Sequence, residues 1–176
     1  YTSTACIAVQ ASLTGHLGLS TVHTIDAPGA VTRLLDLGVA PYLVSASLRG
    51  VLAQRLVRKI CANCKTEYEP PVSIRKSIES NTGEVAKFYR GVGCKRCRNT
   101  GYAGRIAVHE LFVPDDEVME MINDHVSTKK LRSKALEKGM VPLYADGIEK
   151  VKAGIVSIEE VLRTAATDTQ CTSELA

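Results

Sequence analysis

Two CxxC pairs, Cys61/Cys64 and Cys94/Cys97, stand 29 residues apart. Any fold of this chain must decide whether those pairs meet. A tight CxxC turn sets two thiolates about 3.5–4 Å apart, which suits two corners of a tetrahedron with metal–sulfur bonds of about 2.3 Å. A second pair completes the tetrahedron and leaves no open position, so the expected ion is a structural Zn²⁺ rather than a catalytic one. Two pairs of ordinary thiols, or a redox site, remain as alternatives. Four thiolates around Zn²⁺ carry a formal charge of about −2. Lys59, Lys65, Lys95, Arg96 and Arg98 adjoin the four cysteines and are expected to compensate part of it. Cys6 and Cys171 stand alone.

The rest of the composition bounds the fold class. Hydrophobic residues make up 45% of the 176 and charged ones 23%, enough for a core. Trp is absent and aromatics are 5%, so aliphatic side chains must build that core. No apolar run reaches bilayer length and no secretory signal opens the chain, so a cytoplasmic protein is expected. The net charge of +3 is unevenly spread. Arg49 to Arg105 holds 13 Lys/Arg against 4 Asp/Glu, and from Ile106 onward the balance is 8 against 13. A basic middle suits nucleic acid, but the cysteine cluster offers a second reason for it, and sparse aromatics give little for base stacking. No nucleic-acid partner is expected.

"YTSTACIAVQASLTG" reads as the later part of an apolar helix stopped by Gly15, an abrupt opening that suggests a fragment. "HLGLSTVHT" reads as a short buried strand. Asp26 is a candidate N-cap, with Pro28 in the first turn, and Val31, Leu34, Leu35 and Leu37 give a helical face that Gly38 ends. A second helix is expected from Pro41 to about Leu48, before Gly50. In "VLAQRLVRKI", an extended chain puts Leu52, Leu56 and Ile60 on one face with Gln54 and Arg58, though helix stays open. "GRIAVHELFVP" returns to strand character. Three helices follow: one opened by Asp115 or Asp116, one capped by Ser127 and closed by Gly139, and one with a Ser157–Glu160 capping box. Residues 167–176 read as a frayed tail.

Two of the four histidines, His16 and His23, bracket the expected strand. A straight strand rises about 3.3 Å per residue, so seven residues separate them by roughly 23 Å and they cannot share a metal. His23 and Thr24 would sit at the strand's carboxyl end, where ligands gather in open parallel sheets. There a histidine and a hydroxyl can donate to a phosphate or orient a water; a backbone-satisfied histidine is the plainer reading. Arg55 and Arg58 can pair with phosphate or form surface ion pairs. His109 and His125 are read as ordinary strand and helix residues.

These segments together resemble a known family. "IAVQASLTGHLGLSTVHTIDAPGAVTRLLDLGV" resembles the histidine-box region of the secretion traffic ATPases. "LRGVLAQRLVRKICANCK" and "GCKRCRNTGYAGRIAVHEL" resemble their tetracysteine segment, and "ALEKGMVPLYADGIEKVKAGIVSIEEVLR" their helical carboxyl end. The likeness spans about residues 7–163 and is greatest to type II secretion ATPases (general secretory pathway protein E) and type IV pilus assembly ATPases; retraction motors lack the tetracysteine insert. It implies an α/β fold: the carboxyl-terminal part of a RecA-like P-loop NTPase domain, with a zinc insert and a small helical tail. The implied plan is a partial ATPase core over 1–60, the zinc module over 61–104, a returning strand and helices over 105–166, and the tail. The family's box histidines fall on His16 and His23, with His23 nearer the terminal phosphate. The arginines of its "AQRLVR" fall on Arg55 and Arg58, with a nucleotide-pocket or interface role. Its zinc cysteines fall on Cys61, Cys64, Cys94 and Cys97.

Family members are hexameric motors at the inner membrane that hydrolyse ATP with Mg²⁺ to drive pilin-like subunits, so self-association and inner-membrane platform proteins are the implied partners. Departures are equally specific. No GxxxxGK[ST] loop occurs and no acidic Walker B strand end precedes the histidine box, and Ile25 stands where members often carry Asn. The expectation is therefore a fragment of an ATPase that turns over no ATP by itself. The alternatives are a zinc-stabilised protein-interaction module without chemistry, and a zinc-ribbon nucleic-acid binder.

Overall fold

The computed structural model describes residues 2–82 and 87–165, and they form an α/β chain of two compact units. One unit comprises residues 1–53 and 109–142, the other 54–108 and 143–176. The expected tail over 167–176, with Cys171, lies outside the described residues.

The first unit is built from helices whose apolar residues recur every three or four positions. Helix α1 (Thr2–Leu13) packs on α3 (Pro41–Ser47), which packs on α5 (Asp116–Asn123). Helix α2 (Gly29–Asp36) contributes Val31, and α6 (Thr128–Glu137) contributes Leu131 and Ala135. With Val44, Phe112, Val118 and Ile122 these form one core. Each fully buried aliphatic or aromatic side chain there is worth about 1.5–3 kcal/mol. Helix α5 starts as expected, with the Asp115 carboxylate accepting from the Val118 N–H at 3.0 Å. At α6, Ser127 takes the N-cap position without a side-chain hydrogen bond. Gly15, Gly38 and Gly139 all take positive φ just after helices, as their stop role requires.

In the second unit, β2 (Lys65–Tyr68) pairs antiparallel with β3 (Phe88–Gly91), with Lys65 opposite Gly91 and Tyr68 opposite Phe88. Helix α4 (Val72–Thr82) follows β2. Helices α7 (Leu143–Lys152) and α8 (Ile158–Ala165) pack together closely, because a Cβ at Gly147 would lie 2.6 Å from Val161 Cγ1. Strand β1 (Val51–Ile60) pairs with β4 (Tyr102–Phe112), and the chain passes between the units within both strands.

Several expectations need correction. "HLGLSTVHT" is neither a strand nor buried: residues 16–24 carry no regular structure, and Leu17 and Leu19 are 82% and 92% exposed. A strand needs a ladder partner, and among the described residues β1 and β4 pair only with each other. Residues 51–60 are strand, not helix. Leu52 and Leu56 face solvent with Arg58, but Ile60 leaves that face and is buried. Four helices rather than three follow β4, because α7 went unread, as did α4. His125 is no helix residue; it takes φ 52° just past α5. The Ser157–Glu160 capping box does not form, since both side chains have stronger claims elsewhere.

Candidate metal centre

The four cysteines meet. Their Sγ atoms all lie within 4.8 Å of one another. Sγ–Sγ distances are 3.7 Å for Cys94–Cys97, 3.8 Å for Cys64–Cys97 and 3.9 Å for Cys61–Cys94. A tetrahedron with metal–sulfur bonds of about 2.3 Å requires edges of about 3.8 Å, so the donor set fits Zn²⁺. Two elements present it. Cys61 and Cys64 lie in the turn between β1 and β2, while Cys94 precedes and Cys97 ends a 3₁₀ turn at Lys95–Cys97. Main-chain bonds cross-brace these turns, from Val92 N–H to Cys64 O at 3.0 Å and from Cys61 N–H to Gly101 O at 2.9 Å.

The surroundings act oppositely on two of the buried thiols. Burial pushes the Cys64 thiol up. Burial acts on Cys97 in the same sense but is outweighed by N–H donors from Cys94 at 3.2 Å and Gly101 at 3.3 Å, which hold that thiol down. An ion binding all four must displace the remaining protons, so affinity rises with pH. Of the expected compensating cations, Lys59, Lys65 and Arg96 line a cavity of about 470 Å³ beside Cys61. Lys65 also sits 4.2 Å from the Tyr89 ring, and Arg96 donates to Asn63 Oδ1 at 3.0 Å.

Next to the centre in the same unit, Arg58 has a partner that sequence reading missed. Its guanidinium donates to Glu160 Oε1 at 2.5 Å, its backbone N–H to Oε2 at 3.1 Å, and it stacks 4.1 Å from the Tyr102 ring. Arg163 donates to both carboxylate oxygens. Ser157 meets the Tyr102 hydroxyl at 3.0 Å. Burial opposes the Glu160 charge, but Arg58 and Arg163 draw its pKa down to about 2 from 4.5. A depressed carboxylate stabilises the fold above its unfolded pKa and loses that contribution as pH falls towards the folded value. Unfolding free energy is therefore expected to fall by about 2 kcal/mol more in wild type than in Glu160→Gln between about pH 6 and about pH 3. Denaturant titrations at both pH values check this; equal acid slopes refute it.

The other expected site residues lie apart. Arg55 is half-buried on β1. His16 Nδ1 lies 3.1 Å from Thr14 Oγ1, and His23 is exposed. After His23 the backbone is held firmly. Thr24 Oγ1 donates to Asp26 O at 2.9 Å, and Asp26 Oδ1 accepts from the Gly29 N–H at 2.9 Å, but the N-cap position of α2 is Pro28 rather than the expected Asp26. Neither Glu110 nor Arg132, which hold this turn from β4 and α6, was legible beforehand.

Comparisons with known proteins follow the same lines. The family model described as "Type II/IV secretion system protein" matches residues 2–163. The chain is 48% identical over 160 residues to the type II secretion system ATPase E of Vibrio cholerae, covering 91% of this chain and 32% of that protein. It is 47% identical over 161 residues to the type IV pilus assembly ATPase PilB of Thermus thermophilus, covering 90% of this chain and 18% of that one. It thus spans a third or less of these relatives' lengths. Among solved structures, the pilus retraction motor PilT with bound ADP aligns at TM-score 0.60 and 20% identity, covering 94% of this chain and 37% of that one. The ATPase DotB of Yersinia pseudotuberculosis aligns at 0.60 and 16%, covering 95% and 35%. These two establish likeness of fold. The chain belongs to the type II/IV secretion system protein family.

Proposed function

We propose that this chain is the carboxyl-terminal part of a RecA-like, hexameric ATPase that powers type II secretion or type IV pilus assembly. The observation that carries the reading is 48% identity across 91% of the chain to a secretion ATPase. In this reading Cys61, Cys64, Cys94 and Cys97 hold a structural Zn²⁺, supported by their tetrahedral spacing. ATP and Mg²⁺ belong to the full-length protein, since no GxxxxGK[ST] loop lies within these 176 residues. His23 is a sensor of the terminal phosphate and His16 a structural or interfacial partner. Arg55 belongs to the nucleotide side. Arg58 acts there only through the strand that its bond to Glu160 anchors. Among the described residues no helix is long and apolar enough to cross a membrane. The proposed attachment is peripheral, from the cytoplasmic side, through inner-membrane platform proteins.

The test is ATP hydrolysis. In the full-length protein, His23→Ala is expected to lower kcat by about a hundredfold, the order seen when one transition-state donor is removed. Residues 1–176 alone are expected to show no turnover with Mg²⁺. Turnover by the pure short chain, abolished by His23→Ala, overturns the assignment of a partial site.

A further inference from the structure

Three cations, Lys59, Lys65 and Arg96, converge on the cavity of about 470 Å³ beside Cys61, all within the second unit. Each is held in its place. The Lys65 ammonium sits 4.2 Å from the centre of the Tyr89 ring. Gly154 backs it so closely that an added Cβ would lie 2.5 Å from Nζ, and Gly154 takes φ +64° besides, so only glycine leaves that seat open. Arg96 is turned by its bond to Asn63 Oδ1 at 3.0 Å. The Lys59 stem runs along Gly104, with Cε 3.3 Å from where a Cβ would stand. Among the described residues none of the three pairs with a carboxylate, and no acidic side chain lines the cavity. The cysteine centre does not account for them either. Five Lys/Arg adjoin the four cysteines. Four thiolates around Zn²⁺ carry about −2, which leaves about +3, and neutral thiols would leave more. Like charges gathered in one cavity repel one another, and an anion relieves that repulsion.

We infer that this cavity binds a phosphate group, carried on a small soluble monoester or on a lipid headgroup. Three cations suit a dianion better than a single carboxylate, and a phosphate monoester carries about −1.5 to −2 at neutral pH. With Nη1 spent on Asn63, Arg96 keeps its Nε and Nη2 edge for two phosphate oxygens. Lys59 and Lys65 act as point charges around the rest. The volume exceeds that of a bare phosphate and falls among pockets that hold small molecules, about 300–1,000 Å³. Ala62, Ala103 and Ile155 line the remainder and offer apolar contact to the body that carries the phosphate.

The experiment titrates the 176-residue chain, its metal content measured, with glycerol 3-phosphate at low ionic strength, read by amide chemical shifts. Shifts at Asn63, Lys65 and Arg96 are expected to saturate with a Kd of about 1 mM or tighter. Lys65→Gln with Arg96→Gln should weaken binding about tenfold or more. Lys76→Gln with Arg105→Gln removes the same charge from exposed positions of the same unit outside the cavity, and should change binding less than about twofold. Unchanged zinc content and Cys61 amide protection separate loss of the cations from loss of the fold. Should the first pair fold poorly, Arg96→Gln alone leaves Lys65 seated on Tyr89 and gives the same reading. Vesicles of phosphatidylcholine, with and without phosphatidic acid, distinguish the sources. Binding of glycerol 3-phosphate assigns a soluble monoester; binding only to the acidic vesicles, lost in Lys65→Gln with Arg96→Gln, assigns a headgroup. No saturable response to either probe, or equal loss in both double variants, overturns the site. So does a response to an aspartate-rich peptide alone. Full-length protein that fails to bind what the short chain binds also overturns it, because the rest of the protein then covers the cavity.

Discussion

Stripping the metal from the four-cysteine centre is expected to unfold residues 61–68 and 88–101. Structural Zn²⁺ contributes an apparent 10–16 kcal/mol in small zinc modules, as much as the whole stability of an ordinary domain. Among the described residues, the two turns are otherwise joined by the Val92–Cys64 and Cys61–Gly101 main-chain bonds and a short hairpin. The buried cluster at the centre consists of Cys61, Cys64 and Cys97 themselves, with Cys94 packed against it. The β2–β3 hairpin has only four residues per strand, and an isolated hairpin of that size is marginal in water. Loaded protein should contain about one zinc per chain, and a chelator should abolish exchange protection at the Cys61 and Val92 amides. Cys94→Ser should reproduce that state without chelator. Protection that survives complete metal loss, or purified protein with free thiols and negligible zinc, would falsify the structural role.

Gly101→Ala is expected to cost about 3 kcal/mol or more, against about 1 kcal/mol for Gly139→Ala. Both glycines have positive φ, at +78° and +92°. At Gly139 an added Cβ meets nothing within 4 Å, so only the dihedral penalty applies. At Gly101 the Cβ would lie 2.4 Å from Gly91 O, and at Gly91 it would lie 2.0 Å from Gly101 O. Neither neighbour can yield cheaply. Gly101 O accepts the Cys61 N–H, and Gly101 N–H donates to Cys97 Sγ. Moving that backbone disturbs both cysteine pairs at once. Denaturant unfolding of the two metal-loaded variants measures the difference, and equal costs would show that the crossing tolerates displacement.

What was legible in the sequence was local. Helix stops at Gly15, Gly38 and Gly139 depend on φ alone, and the Asp115 cap depends on a donor three residues away. The meeting of the four cysteines was legible because two CxxC pairs have the spacing that a tetrahedral donor set requires. What failed was set by distant partners. "HLGLSTVHT" has a strand's composition, but a strand is made by a neighbour, and none pairs with it among the described residues. Glu160 sits three residues after a serine, as in a capping box, yet its strongest partner lies 102 residues away. Arg132 reads as one more cation on a basic helix until Asp26 and Glu110 are placed beside it. Helix α7 lies in the stretch that resembles the family's helical carboxyl end, and its mid-helix Gly147 is required by the close contact with Val161, a partner 14 residues away.

The two cysteine pairs close a loop, with Cys61 and Cys94 33 positions apart. Once the ends of such a loop are joined by metal, its contour length is thermodynamically cheap, about 0.6 kcal/mol for each doubling. The length of the span from Glu69 to Lys87 is therefore only weakly coupled to the stability of the centre it connects. Related chains have latitude to lengthen, shorten or recharge that span without disturbing the ligand geometry, so long as Gly91 and Gly101 still cross. The centre pins both ends of the loop, so a change of length between them is expected to leave the four donors in place.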